Sequence, residues 1–153
     1  MSLATHISPH FRLHRYLEEY EPDLTQMTVR QLMSRSLMLC RPETPIRDLA
    51  RMMSHAGVHA VPIDADMGER PPRIVTATAL AQIACSATDH AGLEASDAAV
   101  DAVTAHPDDP LPTAAARMLE RGTTHLLVVD PDSGQLVGLL SAADIISRWS
   151  SPT

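Results

Sequence analysis

Met38-Leu39-Cys40-Arg41-Pro42-Glu43-Thr44-Pro45-Ile46 is echoed by Val103-Thr104-Ala105-His106-Pro107-Asp108-Asp109-Pro110-Leu111. Each copy runs into an Ala-rich helical stretch that reaches a methionine, Met53 in the first and Met118 in the second. Beyond each lies an apolar run headed by histidine, His59 to Asp64 and His125 to Asp130. A duplicated unit of this size can pack across a pseudo-twofold axis and leave paired clefts between the copies.

Outward from the repeat, hydrophobic spacing and turn residues predict the elements. Thr28 caps a short turn, Val29 to Met33, ahead of a strand from Leu37 to Cys40. A helix from Pro45 to His55 buries Ile46, Leu49, Ala50 and Met53, and Ala60 to Asp64 is the next strand. Asp66 to Pro72 carries turn chemistry, Arg73 to Thr76 is a third strand, and a helix from Thr78 to Ala87 closes the unit. Thr88 to Glu94 is a linker, and Ser96 caps a brief turn through Val100. The second unit repeats the order with Val103 to Ala105 and a helix from Pro112 to Arg121. A hairpin of His125–Asp130 and Leu136–Leu140 turns at Pro131 to Gly134, and Ser141 caps a last helix reaching Trp149. Ahead of both, Leu13, Tyr16, Leu17 and Tyr20 share one face of a helix expected over Pro9 to Tyr20, which docks on the body or on a partner subunit.

The fold class is therefore mixed α/β (α+β), with β-α-β-β-α order in each unit. A helical extension covers residues 1–25, the first unit 26–87 and the second 96–150.

Composition narrows the function. Hydrophobic residues make up 44% of the chain and aromatic residues only 3%, so the core is aliphatic. The formal net charge is -7 and every basic residue is arginine, which disfavours a nucleic-acid binder with its basic face. No apolar run approaches the roughly 18 residues that cross a bilayer, and no signal peptide opens the chain. Cys40 and Cys85 stand far apart outside any CxxC pairing, as expected of reduced thiols in the cytoplasm. Familiar nucleophile, zinc-protease and phosphate-loop motifs are absent, so no catalytic residue is assigned and the chain reads as a non-enzyme. His6, His10 and His14 recur every four residues. Pro9 interrupts them and no acidic or Cys partner is spaced to complete a metal site, so a surface or interface row is expected and no metal.

The order of elements, Gly57-Val58-His59-Ala60-Val61-Pro62-Ile63, and Gly134-Gln135-Leu136-Val137-Gly138-Leu139-Leu140-Ser141-Ala142-Ala143-Asp144-Ile145 together resemble a cystathionine-β-synthase (CBS) domain. Two in tandem make a Bateman module, and the resemblance covers about residues 26–150. It implies a cleft between the units for an adenosine-type ligand: AMP, ADP, ATP, S-adenosylmethionine or NAD as a regulatory ligand, with no cofactor required. It also implies a disc-like homodimer and an unidentified effector protein.

Carried over by position, Ser141 would hold a phosphate and Asp144 the ribose hydroxyls. Thr104 would face base or ribose, and His125 with Leu126 would line the adenine pocket. Physical chemistry supports the first two roles, since a helix N-terminus attracts anions and a carboxylate can accept both hydrogen bonds of a cis-diol. Equally, Ser141 serves as a plain N-cap and Asp144 as a first-turn acid. The first unit departs from the pattern, because Thr76 stands in the serine's place but Ala79 replaces the aspartate. At most one competent site is expected, with Thr76 more a cap than a ligand, and Asp144→Ala is expected to leave unliganded stability nearly unchanged. Arg73, Arg121 and Arg148, with His59 and His125, are the candidate phosphate partners, a modest supply that suits a lightly charged nucleotide. The alternative is a ligand-free dimerisation or scaffold module. The chain ends just after its last helix, so any output is expected to pass to a separate protein.

Overall fold

The computed structural model describes residues 23–64, 71–86 and 89–151. The expected Pro9–Tyr20 helix, the row of His6, His10 and His14, and most of the Asp66–Pro72 loop lie outside them. A 3-10 turn, Leu24–Gln26, leads into α1 (Val29–Leu32), α2 (Ile46–Ala56), β1 (Ala60–Pro62), β2 (Arg73–Thr76), α3 (Ala77–Ala84) and α4 (Ala95–Ala98). Then follow β3 (Val100–Asp101), β4 (Thr104–Ala105), α5 (Leu111–Arg121), β5 (His125–Val129), β6 (Leu136–Ser141) and α6 (Ala142–Ser150). The architecture is α+β, with one three-stranded sheet per repeat.

The repeat is visible in how the long helices begin and end. α2 and α5 each start directly after a proline, Pro45 and Pro110, and bury one stripe: Ile46, Leu49 and Met53, or Leu111, Ala114 and Met118. Each stops at a glycine in the left-handed region, Gly57 at φ 67° and Gly122 at φ 62°, where a Cβ would clash with the following carbonyl. Counting from these two glycines makes Ala60, not His59, the counterpart of His125. The cross-strand pairs Ala60↔Thr76 and His125↔Ser141 agree. The two histidines that head the apolar runs are thus offset by one residue: His125 opens β5, whereas His59 lies just before β1.

The strand expected over Leu37–Cys40 is reduced to a single bridge between Cys40 and Ile63. The reason is Pro62. In the second unit the Leu127 N–H donates to the Val103 carbonyl at 3.0 Å, whereas the equivalent Pro62 has no N–H to offer Met38. Cys40 keeps only the bonds either side, accepting from Asp64 N–H and donating to Pro62 O.

The segments leading into the units are exchanged. Val29 and Arg30 donate to the carbonyls of Asp109 and Pro107, and Ser34 trades two backbone bonds with Leu139 of β6. In mirror fashion Ala95 and Ser96 donate to Thr44 and Pro42, and β3 pairs with β2. β2 and β6 are therefore each flanked by backbone that leads into the other unit, which satisfies edge groups that would otherwise face solvent. This exchange also shifts two expected features. The Ser96 N–H is spent on Pro42, so the turn starts at Ala95 with Glu94 as its cap, donating its N–H to Asp97 Oδ2 at 2.8 Å. Val100 leaves that turn for β3.

Among the described residues, three apolar clusters hold the fold. One joins Leu49, Met53, Val61 and Val75 with Ala95 and Ala98 of the exchanged α4. A second joins Leu111, Met118, Leu126, Val128 and Leu140 with Val29 of the exchanged α1. The third, Ala60, Ile74 and Leu127, seals sheet against sheet. At one exchanged edge the fit is tight: a Cβ on Gly138 would lie 2.6 Å from Met33 Sδ and 3.2 Å from its Cβ. Gly138→Ala is expected to destabilise the chain by about 1–3 kcal/mol through this overlap. A denaturant midpoint equal to wild type would show that Met33 moves aside freely.

Candidate functional site

Strand β6 runs directly into α6, and the junction is a reciprocal cap. Ser141 Oγ accepts the Asp144 N–H at 3.0 Å, and Asp144 Oδ2 accepts the Ser141 N–H at 2.9 Å. Two of the junction's backbone donors are thereby satisfied, and the second carboxylate oxygen, Oδ1, takes no part in the cap. Both side chains are half-buried. In the first unit Thr76 Oγ1 likewise accepts the Ala79 N–H at 3.2 Å, but the alanine returns nothing.

His125 stands directly across the ladder from Ser141. Its ring is steadied by Thr124, whose Oγ1 lies 2.9 Å from Nδ1, and its backbone is clasped by the Thr123 hydroxyl. Burial pushes the imidazole pKa below its ordinary value, the nearby His59 pushes it further down, and Asp144 pulls it back up. His59 belongs to the first unit, so its field, that of Asp144 and the ring of His125 meet where the two units face each other. The neutral ring has one nitrogen to donate and one to accept.

A stability consequence follows from that depressed pKa. Between its folded and unfolded values the unfolded chain binds more protons, so stability rises with pH there. The contribution is complete above the unfolded value near 6.5 and is lost as pH falls through the lower folded one. His125→Gln is expected to flatten the fall in melting temperature on acidification below pH 6.5. An unchanged pH profile would place the titration elsewhere.

The remaining residues singled out in the sequence divide. Thr104 is half-buried on β4, and its carbonyl accepts Arg117 Nη1 at 3.0 Å. Arg117 also pairs with Asp109 Oδ2 at 3.2 Å, fastening the loop that leads into α5; in sequence, an arginine inside a helix carries no signal of its loop partner. Leu126 is fully buried among Val29, Leu111 and Leu140, so only its backbone can border the cleft. Its neighbour Leu127 is the residue that faces the other unit, because side chains alternate along a strand. Arg73 is withdrawn from the phosphate candidates: its Nη2 donates to the carbonyls of Ser96 and Ala99 at 2.8 and 3.3 Å, pinning the end of α4. His59 is exposed, and its carbonyl accepts the Ala77 N–H. Among the described residues, no three His, Cys, Asp or Glu side chains gather where a metal ion could sit. No helix there is long and apolar enough to cross a membrane.

Two sheets of one pattern, each ending in a capped helix at a shared boundary, have a counterpart in sequence families. The family described as CBS domain matches the chain twice, over residues 29–84 and 96–151. The chain belongs to the CBS domain family. No curated protein matches this tandem CBS chain in sequence. Among solved structures it is similar to the hexameric CBS-CP12 protein from bloom-forming cyanobacteria, at 16% identity and a TM-score of 0.71, covering 78% of this chain but 66% of that one. It is similar to the CBS domain pair of protein MJ0100 in complex with 5′-methylthioadenosine and S-adenosyl-L-methionine, at 20% identity and a TM-score of 0.69 over 79% of this chain and 94% of that one. It is also similar to the CBS domain protein PAE2072 from Pyrobaculum aerophilum complexed with AMP, at 24% identity and a TM-score of 0.68 over 77% and 89%. At these identities the likeness is one of fold.

Proposed function

We propose that this tandem CBS protein is a regulatory module that binds an adenosine-type ligand between its two units and signals the bound state to a partner protein. The observation that carries the reading is the α6 junction: a helix N-terminus with a carboxylate one turn in, beside a histidine that feels the other unit. In this reading Ser141 and the helix tip meet a phosphate, and Asp144 Oδ1 meets the ribose. Thr104 and neutral His125 flank the base along the Leu126 backbone, while Thr76 and His59 border the ligand from the first unit. Ala79 leaves the first unit without a diol acceptor, so one ligand is expected per chain.

The solved relatives complexed with AMP, or with methylthioadenosine and S-adenosylmethionine, support the ligand class. ADP, ATP and NAD complete the set to be tested. Units spanning 26–87 and 96–150, a homodimer, a cytoplasmic setting and a non-catalytic role belong to the same proposal. Ligand binding would shift the balance between packings of the units, which a partner then reads. One observation favours the scaffold alternative, namely that Ser141 and Asp144 already satisfy each other as a cap.

Thermal melts across AMP, ADP, ATP, S-adenosylmethionine and NAD separate the two. A ligand at about 100 times its Kd adds roughly 2.7 kcal/mol to native stability. For a chain of this length that raises the melting temperature by about 5–10 °C. Silence across the whole set would leave the scaffold reading standing.

A further inference from the structure

The one-residue offset between the histidines puts an imidazole beside the tip of each unit's last helix. At the start of α3 the Ala77 N–H donates to the His59 carbonyl at 2.8 Å, and at the start of α6 the Ala142 N–H donates to the Thr124 carbonyl at 2.8 Å. His59 therefore stands where Thr124 stands, and His125 where Ala60 stands. Exact repetition would have given two equivalent histidines; the offset gives one at the tip of α3 and one opposite the cap of α6.

Side chains alternate along a strand, so His125 shares a face with Leu127, which meets Ala60 and Ile74 of the first unit. The same face of β6 carries Leu139 and Ser141. Opposed residues hold their Cβ atoms about 4.5–5.5 Å apart, so the ring lies beside whatever Ser141 holds. Charge reaches that ring from two sides, Asp144 on α6 and His59 ahead of β1. Its sheet neighbours β4 and β6 contain no charged residue. The charged residues of α5, Arg117, Glu120 and Arg121, belong to a helix packed on the opposite face of β5, against Leu126 and Val128. Arg148 stands nearly two turns beyond the α6 tip, and Arg73 is spent on backbone carbonyls. Burial and His59 hold the ring neutral in the free chain, against Asp144. A phosphate at Ser141 would add up to two negative charges at that spot, giving a proton on either imidazole a partner.

We propose that His59 and His125 are the pair that distinguishes phosphorylated from unphosphorylated adenosine, together taking up a proton from solvent when a phosphate settles at the α6 tip. The proposal rests on the adenosine-ligand reading of this site. Interacting imidazoles titrate as a pair, so the proton belongs to both. Acidification then tightens the binding of a phosphorylated adenosine and leaves that of the bare nucleoside alone.

Calorimetric titration of the full chain with AMP at neutral pH, in two buffers of different ionisation enthalpy, measures the uptake directly. About 0.5–1 proton per AMP is expected. Affinity for AMP should rise about three- to tenfold between about pH 8 and pH 6.5, where the phosphate is still largely dianionic. Adenosine, with the same base and ribose, should change by less than about twofold. His59→Gln/His125→Gln should lose both the uptake and the slope, with circular dichroism to check its fold. The comparison of the two ligands on wild type stands whether or not that variant folds. Binding of AMP without proton uptake, equal slopes for AMP and adenosine, or a slope that persists in the folded variant overturns the proposal and leaves the adenosine reading intact. Failure of both AMP and adenosine to bind at any pH removes that reading and the proposal with it.

Discussion

Leu140→Ala is expected to cost the free chain about 2–5 kcal/mol and to lower its melting temperature by about 5–15 °C. Leu140 is fully buried on β6, opposite Leu126, and packs with Leu111, Met118 and the exchanged Val29. The strand that carries it is held on one side by β5 and on the other by Ser34, so the backbone cannot settle into the space left behind. A cavity then adds to the lost transfer free energy. Leu140 also directly precedes Ser141, so the same substitution loosens the platform of the helix tip. Chemical denaturation measures the cost directly. A loss below about 1 kcal/mol would mean that the second core repacks around the smaller side chain.

Asp144→Asn is expected to weaken adenosine-ligand binding by about 10–100-fold, the equivalent of roughly 1.5–3 kcal/mol of charge-assisted hydrogen bonding. Unliganded stability should change little, because asparagine keeps an oxygen to accept the Ser141 N–H. Asparagine is the sharper probe for a reason visible only in the folded chain. Asp144 Oδ2 is half of the α6 cap, so Asp144→Ala removes a helix cap as well as a ligand contact and costs about 0.5–2 kcal/mol even without ligand. This corrects the expectation that the alanine variant would be nearly neutral. Calorimetric titration with AMP compares wild type and variant. Equal affinity in both would move the binding site away from α6.

Much of the architecture was legible because the repeat marks itself with local chemistry. The prolines at 45 and 110, the glycines at 57 and 122, and the serine before α6 act within a turn of where they stand, and the helices begin and end where those residues dictate. The strands were harder to read. Leu37–Cys40 has the same apolar character as Val103–Ala105, but pairing depends on a donor across the ladder, and Pro62 withholds it. Register was harder still: the two histidines look equivalent along the chain, and the cross-strand partners show that they are not.

The candidate site divides in the same way. Ser141 and Asp144 could be picked out because a capping residue and a first-turn carboxylate announce themselves in a few letters. The burial of Leu126 could not, since strand alternation says that one neighbour faces each way but not which way the ligand lies. Nor could the fate of Arg73, whose partners sit on a helix that crosses over from the other repeat.

Taken alone, the order of residues determined the ends of the two long helices, the duplication and the helix tip that a nucleotide could meet, because capping, turn formation and hydrophobic spacing are short-range effects. Tertiary structure decided which repeat each leading segment completes, which histidine opposes Ser141, and which cations are already engaged. Those outcomes depend on hydrogen bonds and packing between residues far apart in the chain, and no local pattern encodes them.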